Sequence, residues 1–158
     1  MRVEQVKDFL NKQGLLPQYR QFAVSSATVE LAAKAVGCPP QHIVKTLAFK
    51  TKAGPIVVCV CGAAKVDNKK FKAVFGEKAV FPHGEEVEQL TGHPAGGVCP
   101  FALNEGVRVF LDESIRPFDF VYPAAGAPNN AVRLSPAQLQ ELTGAQWIDI
   151  SKFSPSPL

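Results

Sequence analysis

Apolar residues recur at helical spacing from the start of the chain. Val3, Val6, Phe9 and Leu10 fall on one face and Gly14 offers a stop, so residues 2–13 are expected to form an amphipathic helix. Tyr19 to Val24 is a candidate short strand. Ser25, Ser26 and Thr28 are candidate N-caps for a second helix that carries Val29, Ala32, Ala33 and Val36 and ends at Gly37. After the break at Cys38-Pro39-Pro40, Ile43 to Lys50 is rich in β-formers. Gly54-Pro55 then turns the chain into Ile56 to Cys61, a near-continuous apolar run that reads as a strand buried on both faces.

Asp67 can cap a helix running to about Val74, with Gly76 after it, and Glu85 to Leu90 suggests another short helix. Thr91 to Leu103 is a Gly/Pro-rich loop. Strands are expected near 107–111, 118–122 and 130–134. Ser135-Pro136-Ala137-Gln138 has the form of a capping box with proline at the first helical position, opening a helix that Gly144 ends. Trp147 to Ile150 is the expected last strand. Strands outnumber helices and arrive in pairs as often as they alternate with helices. That pattern predicts an α+β fold, a mixed, barrel-like curved sheet flanked by helices. Residues 1–150 are expected to form a single domain and 151–158 a flexible tail.

Composition changes this picture little. The 158 residues are 46% hydrophobic and 20% charged, a globular balance. Lys+Arg 17 against Asp+Glu 14 leaves a net charge of +3, which tolerates an anionic partner without identifying one. No stretch approaches the roughly 18 to 20 unbroken apolar residues of a membrane span, and the charged N-terminus lacks a signal-peptide pattern. A cytoplasmic protein, with no membrane partner, is the expectation. The four cysteines (Cys38, Cys59, Cys61, Cys99) read as reduced thiols. Nothing marks an oligomer; a monomer or weak dimer fits equally well.

Lys45 is the most informative position for chemistry. In an extended strand it shares a face with Ile43, Leu47 and Phe49, three apolar residues. A lysine there either snorkels to water or sits in a cleft as a fixed cation for an anionic or carbonyl-bearing ligand. The second feature is Gly96-Gly97-Val98-Cys99-Pro100. Paired glycines let main chain approach a ligand, and loop amides can stabilise a developing oxyanion, although many such loops are only turns. Cys99 with His93 as its base would make a thiol hydrolase, the alternative being a small packing residue. Cys59-x-Cys61 lacks zinc-site spacing, and no metal or other cofactor is expected. Lys50, Lys52, Lys65, Lys69, Lys70 and Lys72 form either a phosphate-contacting rim or a solvated face.

The segments HIVKTLAFK, CVCGAAKVDNKKF, TGHPAGGVCPF, FLDES and NAVRLSPAQLQELTGA resemble, in that order, the YbaK/ProX family of aminoacyl-tRNA editing domains over roughly residues 22–145. The resemblance implies a trans-editing deacylase that hydrolyses mischarged aminoacyl-tRNA, with tRNA for proline carrying Ala, Cys, Ser or Thr as the default substrate. It implies hydrolysis by water without metal or covalent intermediate. Lys45 matches the family's pocket lysine, and Gly96 to Pro100 its G-x-x-x-P loop. Gly96 and Gly97 would then meet the ester, with Val98, Cys99 and Pro100 shaping the pocket. Phe22, Ser26, Thr28 and the 123–128 loop, through Ala125 and Gly126, are expected to line it. That loop reads Pro-Ala-Ala-Gly-Ala-Pro where YbaK-type members carry Ser-Gly-Gly, which removes a hydroxyl and with it the ground for carrying over strict cysteinyl-tRNA specificity. An aminoacyl-tRNA synthetase is a second candidate partner. The competing reading is a non-catalytic module that binds aminoacyl-tRNA or a synthetase.

Overall fold

The computed structural model describes residues 1–153. In chain order the elements are α1 (Val3–Lys12), β1 (Tyr19–Gln21), α2 (Val29–Val36), β2 (Val44–Thr51), β3 (Gly54–Cys61), β4 (Ala64–Val66) and α3 (Asn68–Phe75). There follow α4 (Gly84–Thr91), β5 (Arg108–Asp112), β6 (Asn130–Val132), α5 (Pro136–Thr143), β7 (Gln146–Ile148) and β8 (Ser151–Phe153). Local chemistry sets most of these bounds. Thr28 Oγ1 accepts the Leu31 N–H at the start of α2, Asp67 accepts the Lys69 and Lys70 N–H groups at the start of α3, and Ser135 with Gln138 closes a capping box on α5.

The apolar run Ile56–Cys61 becomes the centre of the molecule. All six residues are fully buried. Strand β3 pairs antiparallel with β2 and parallel with β5, which pairs parallel with β7, giving a mixed sheet in the order β2-β3-β5-β7. Two ribbons, β1-β6 and β4-β8, stand beside it. The fold is therefore mixed α+β as expected. Among the described residues the ladders leave β2 and β7 as edges of the four-stranded sheet, with single bridges leading on from Ile43 to Tyr122 and from Val121 to Leu134, and these pairings do not establish the closed curvature of a barrel. Three expectations change. Residues 118–122 make only the bridges Val121↔Leu134 and Ile43↔Tyr122, because residues 116, 117, 119 and 120 are exposed and Pro123, which follows, has no N–H for a ladder. The strand expected over Trp147 to Ile150 is displaced: β7 closes at Ile148.

The expected tail also differs at residues 151–153, which form β8 along β4; residues 154–158 lie outside the described part. The reason is a buried carboxylate. Asp112 accepts hydrogen bonds from the Ile150 N–H at 2.7 Å, the Ser114 N–H at 2.9 Å and the Ser151 hydroxyl at 2.6 Å. Three donors on one buried carboxylate are charge-assisted bonds that fix the chain on either side of them. Lys70 adds a bond to the Ser151 carbonyl at 2.7 Å.

Candidate functional site

A cleft of about 230 Å³ opens beside the edge strand β2, between the approach to α2, the 96–98 loop and the 122–131 segment. Five consecutive residues of β2 and its approach, Ile43 to Leu47, contribute to its wall. Lys45 is half-buried there and donates one hydrogen bond to the Ala64 carbonyl. An ammonium carries three N–H donors, so the others remain for a ligand. Burial pulls the Lys45 pKa below the usual lysine value; the nearby Lys65 charge adds to this, while Cys61 and Glu30 oppose it.

The opposite wall comes from Ser26 to Val29. Ser25 Oγ accepts the Ala27 N–H at 3.2 Å, and the Ser26 N–H bonds to the Pro128 carbonyl at 2.7 Å. These bonds hold the segment against the 123–128 loop. The Ser26 hydroxyl is enclosed and has no partner. A hydroxyl left unpaired at a cleft wall is a group ready to bind a polar atom of a ligand. The Thr28 oxygen, by contrast, is occupied in capping α2 at 3.2 Å.

The two loop glycines have separate tasks. Gly96 lines the cleft at φ +83°, and a Cβ there would stand 3.1 Å from Ala27 Cβ. Gly97 is buried below, where a Cβ would fall 2.8 Å from Ala127 main-chain atoms. The Gly97 N–H bonds to the Pro94 carbonyl at 3.0 Å, so it is not available to an ester. Among the described residues the N–H groups of Gly96 and Val98 have no acceptor. Those two are the amides an oxyanion could meet.

Of the residues singled out from sequence, the structure brings Lys45, Ser26, Thr28, Gly96 and Val98 together on the cleft. Phe22, Gly97, Cys99, Pro100, Ala125 and Gly126 do not line it. Phe22 is tied by its N–H to the Asn129 carbonyl at 2.8 Å, and Pro100 is buried beneath the loop. Ala125 and Gly126 are packed inward because Asn130 Oδ1 accepts the Ala125 N–H at 2.9 Å and the Ala127 N–H at 3.3 Å. The faces that reach the cleft belong instead to Tyr122, Ala124, Asn130 and Ala131. Pattern reading could not find these, since long-range pairing places them; an asparagine inside the β-forming run Asn130–Val132 is the one local signal.

Cys99 and His93 do meet, with Sγ 3.5 Å from Nε2, but both are fully buried. Burial pushes the Cys99 thiol up to about 12. His93 Nε2 lies 2.6 Å from the Phe101 carbonyl, which can only accept, so Nε2 carries the proton and cannot take one from the thiol. The pair is packing, not a nucleophile and base. Of the lysines, Lys50 pairs with Glu86 at 2.8 Å and Lys70 with Asp149 at 3.1 Å, while Lys65, Lys69 and Lys72 stand exposed. No three His, Cys, Asp or Glu side chains among the described residues gather to hold a metal ion, and no helix among them is long and apolar enough to cross a membrane.

The family described as the aminoacyl-tRNA editing domain matches residues 24–142. The uncharacterized protein YwhH of Bacillus subtilis is 42% identical over 134 residues, 84% of this chain and 85% of that protein. EbsC of Enterococcus faecalis, a protein named for Cys-tRNA(Pro)/Cys-tRNA(Cys) deacylation, is 28% identical over 126 residues, 78% of this chain and 77% of its own. A crystal structure described as a trans-editing enzyme for prolyl-tRNA synthetase superposes with a TM-score of 0.86 at 32% identity, covering 95% of this chain and 96% of that one.

Proposed function

The chain belongs to the aminoacyl-tRNA editing domain family, and we propose that it is a cytoplasmic trans-editing deacylase that hydrolyses the ester of mischarged aminoacyl-tRNA. The substrate we infer is tRNA for proline carrying a small wrong amino acid such as Ala, Cys, Ser or Thr. One observation supports this reading: a half-buried lysine lines a small cleft together with Ser26, whose hydroxyl is unpartnered, and with Gly96 and Val98, whose N–H groups have no acceptor.

The proposed chemistry is addition of water to the ester carbonyl followed by departure of the ribose oxygen, which leaves as a hydroxyl with the proton that the attacking water gives up. Negative charge develops on the carbonyl oxygen in the tetrahedral state. Preorganised N–H donors at that oxygen stabilise it more than they stabilise the ester, which is what lowers a barrier. The Gly96 and Val98 amides supply such donors without needing a proton, and the Lys45 ammonium adds a fixed positive charge. In this reading the unpartnered Ser26 hydroxyl accepts from the aminoacyl ammonium. Small side chains, Ala27, Val29, Ala32 and Ala131, border the cleft with Ile43 and set a modest volume. A sieve of this kind separates amino acids by roughly 1–3 kcal/mol per methylene, so it favours small residues without naming one.

The test is deacylation of Ala-, Ser-, Thr-, Cys- and Pro-tRNA for proline under single-turnover conditions. Hydrolysis of one or more small mischarged species with Pro-tRNA spared is the expected result. If the folded protein hydrolyses none of them but binds them with steep salt dependence, the chain is a binding module for aminoacyl-tRNA or its synthetase.

A further inference from the structure

A second cavity of about 180 Å³ adjoins the Lys45 cleft. The two share Thr46, Leu47, Gly96 and Val98, so the wall of one is the threshold of the other. Its far side is apolar, formed by Phe81, Pro82 and Val87, with Phe81 52% exposed. The Phe81 ring is backed by Phe49 at 4.8 Å between centroids, and Phe49 packs in turn against Phe71 at 4.8 Å, both pairs tilted. An aromatic ring so exposed, yet held from behind, is a fixed platform.

The floor carries an independent feature. Strand β2 is a sheet edge, and in an antiparallel pair the main-chain groups alternate between partner and outside. Val44 sends its N–H outward to the Tyr122 carbonyl at 3.1 Å, and Lys50 sends its own to the Val80 carbonyl at 2.8 Å. Thr46 and Ala48, between them, keep the same phase and point outward too. Among the described residues nothing accepts from either N–H. The chain thus covers β2 at both ends and leaves open the two residues that border this cavity.

We propose that this groove seats the terminal adenine of the substrate, stacked on Phe81 and read on its edge by the main chain of Thr46 and Ala48. The inference rests on the deacylase reading, because it takes the aminoacyl group to lie in the Lys45 cleft. An aminoacyl ester sits on O2′ or O3′ of a ribose that carries the base on C1′, so a ligand with its aminoacyl group in one cavity has its base within reach of the adjoining one. Adenine presents an amino donor beside ring-nitrogen acceptors, the complement of a strand edge that offers C=O and N–H. Single-stranded bases are characteristically bound by stacking on aromatic side chains. Since every tRNA ends in the same adenosine, this contact adds affinity and register without selecting among tRNAs.

The experiment uses a hydrolysis-resistant probe, 3′-alanylamino-3′-deoxyadenosine, with its inosine counterpart and a base-free ribose analogue, titrated against the wild-type protein and followed by calorimetry and amide chemical shifts. Expected are a loss of about 5- to 100-fold in affinity when the base is removed, a smaller loss for inosine, and shifts at Thr46, Ala48 and Val87. Phe81→Ala should weaken the adenosine probe by a similar factor and leave the base-free probe unchanged, while Phe81→Tyr retains binding. Equal affinity for the adenosine and base-free probes overturns the inference, whatever the variants do. If the adenosine probe binds as expected but no aminoacyl-tRNA is hydrolysed, the deacylase reading fails while the base site stands.

Discussion

Two places in this molecule bring chemically capable side chains together, and only one of them opens on a cleft. Around Lys45 the polar groups are incompletely partnered: its ammonium lines a cleft with Ser26, Gly96 and Val98, of which the first has an enclosed, unpartnered hydroxyl and the other two have N–H groups without an acceptor. Beneath the same loop, Cys99 and His93 lie 3.5 Å apart with no exposure to solvent. The second pair has the composition of a nucleophile and base. It lacks access, and burial raises the thiol pKa while lowering that of the imidazole, which keeps both groups neutral. Proximity of the right residue types is therefore a weaker sign of chemistry than incompletely partnered groups gathered at an open cleft.

The comparison breaks on both sides at once at Gly97, which joins the two regions. Gly97→Ala must push the loop off the Ala127 main chain. Overpacking of this kind costs about 1–3 kcal/mol, and moving the Gly96 and Val98 amides by an ångström would lower deacylation about 100-fold. Thermal unfolding and single-turnover rates check the two effects separately. Next in size is Ser26→Ala. If the hydroxyl holds the aminoacyl group, the variant loses about 10-fold in kcat/KM, the worth of one hydrogen bond of about 1.4 kcal/mol, and leaves the unfolding midpoint unchanged.

The smallest effect sharpens the buried side. His93 has its pKa lowered chiefly by burial, with Arg2 and the N-terminal ammonium adding and the Phe101 carbonyl and Glu88 opposing. Below the ordinary histidine value of about 6.5, the unfolded chain takes a proton that the fold resists. Stability should therefore fall as pH drops through that value, and level off once the folded protein also binds the proton. Denaturant unfolding at pH 7.5, 6.5 and 5.5 checks this. His93→Gln, which can still donate to Phe101, should lose less stability over the same range.

Lys45 was legible in the sequence because strand alternation sets a charged residue among Ile43, Leu47 and Phe49, and a single local rule suffices. The helix caps at Thr28, Asp67 and Ser135 were legible for the same reason. Tyr122, Asn130 and Ala131 were not, since they reach the cleft only through pairing of segments about 80 to 110 residues apart in sequence: Ile43 with Tyr122 and Tyr19–Gln21 with Asn130–Val132. The strand at Ser151–Phe153 was hidden likewise, because its anchor is Asp112, 39 residues upstream. The glycine pair shows the intermediate case. Its closeness to another chain segment was readable from residue type, but that Gly97 uses its amide internally and Gly96 does not is a matter of loop geometry alone.

The central claim is that the open cleft reacts and the buried thiol does not, and one experiment addresses both halves. Wild type, Lys45→Ala and Cys99→Ala would be compared in single-turnover deacylation of Ala-tRNA for proline, with circular dichroism as the check on folding. Loss of an optimally placed charge donor costs about 100- to 1,000-fold, so Lys45→Ala should fall by that factor while Cys99→Ala stays within about threefold of wild type. A folded Lys45→Ala that retains full activity, or a folded Cys99→Ala that loses it, would contradict the account.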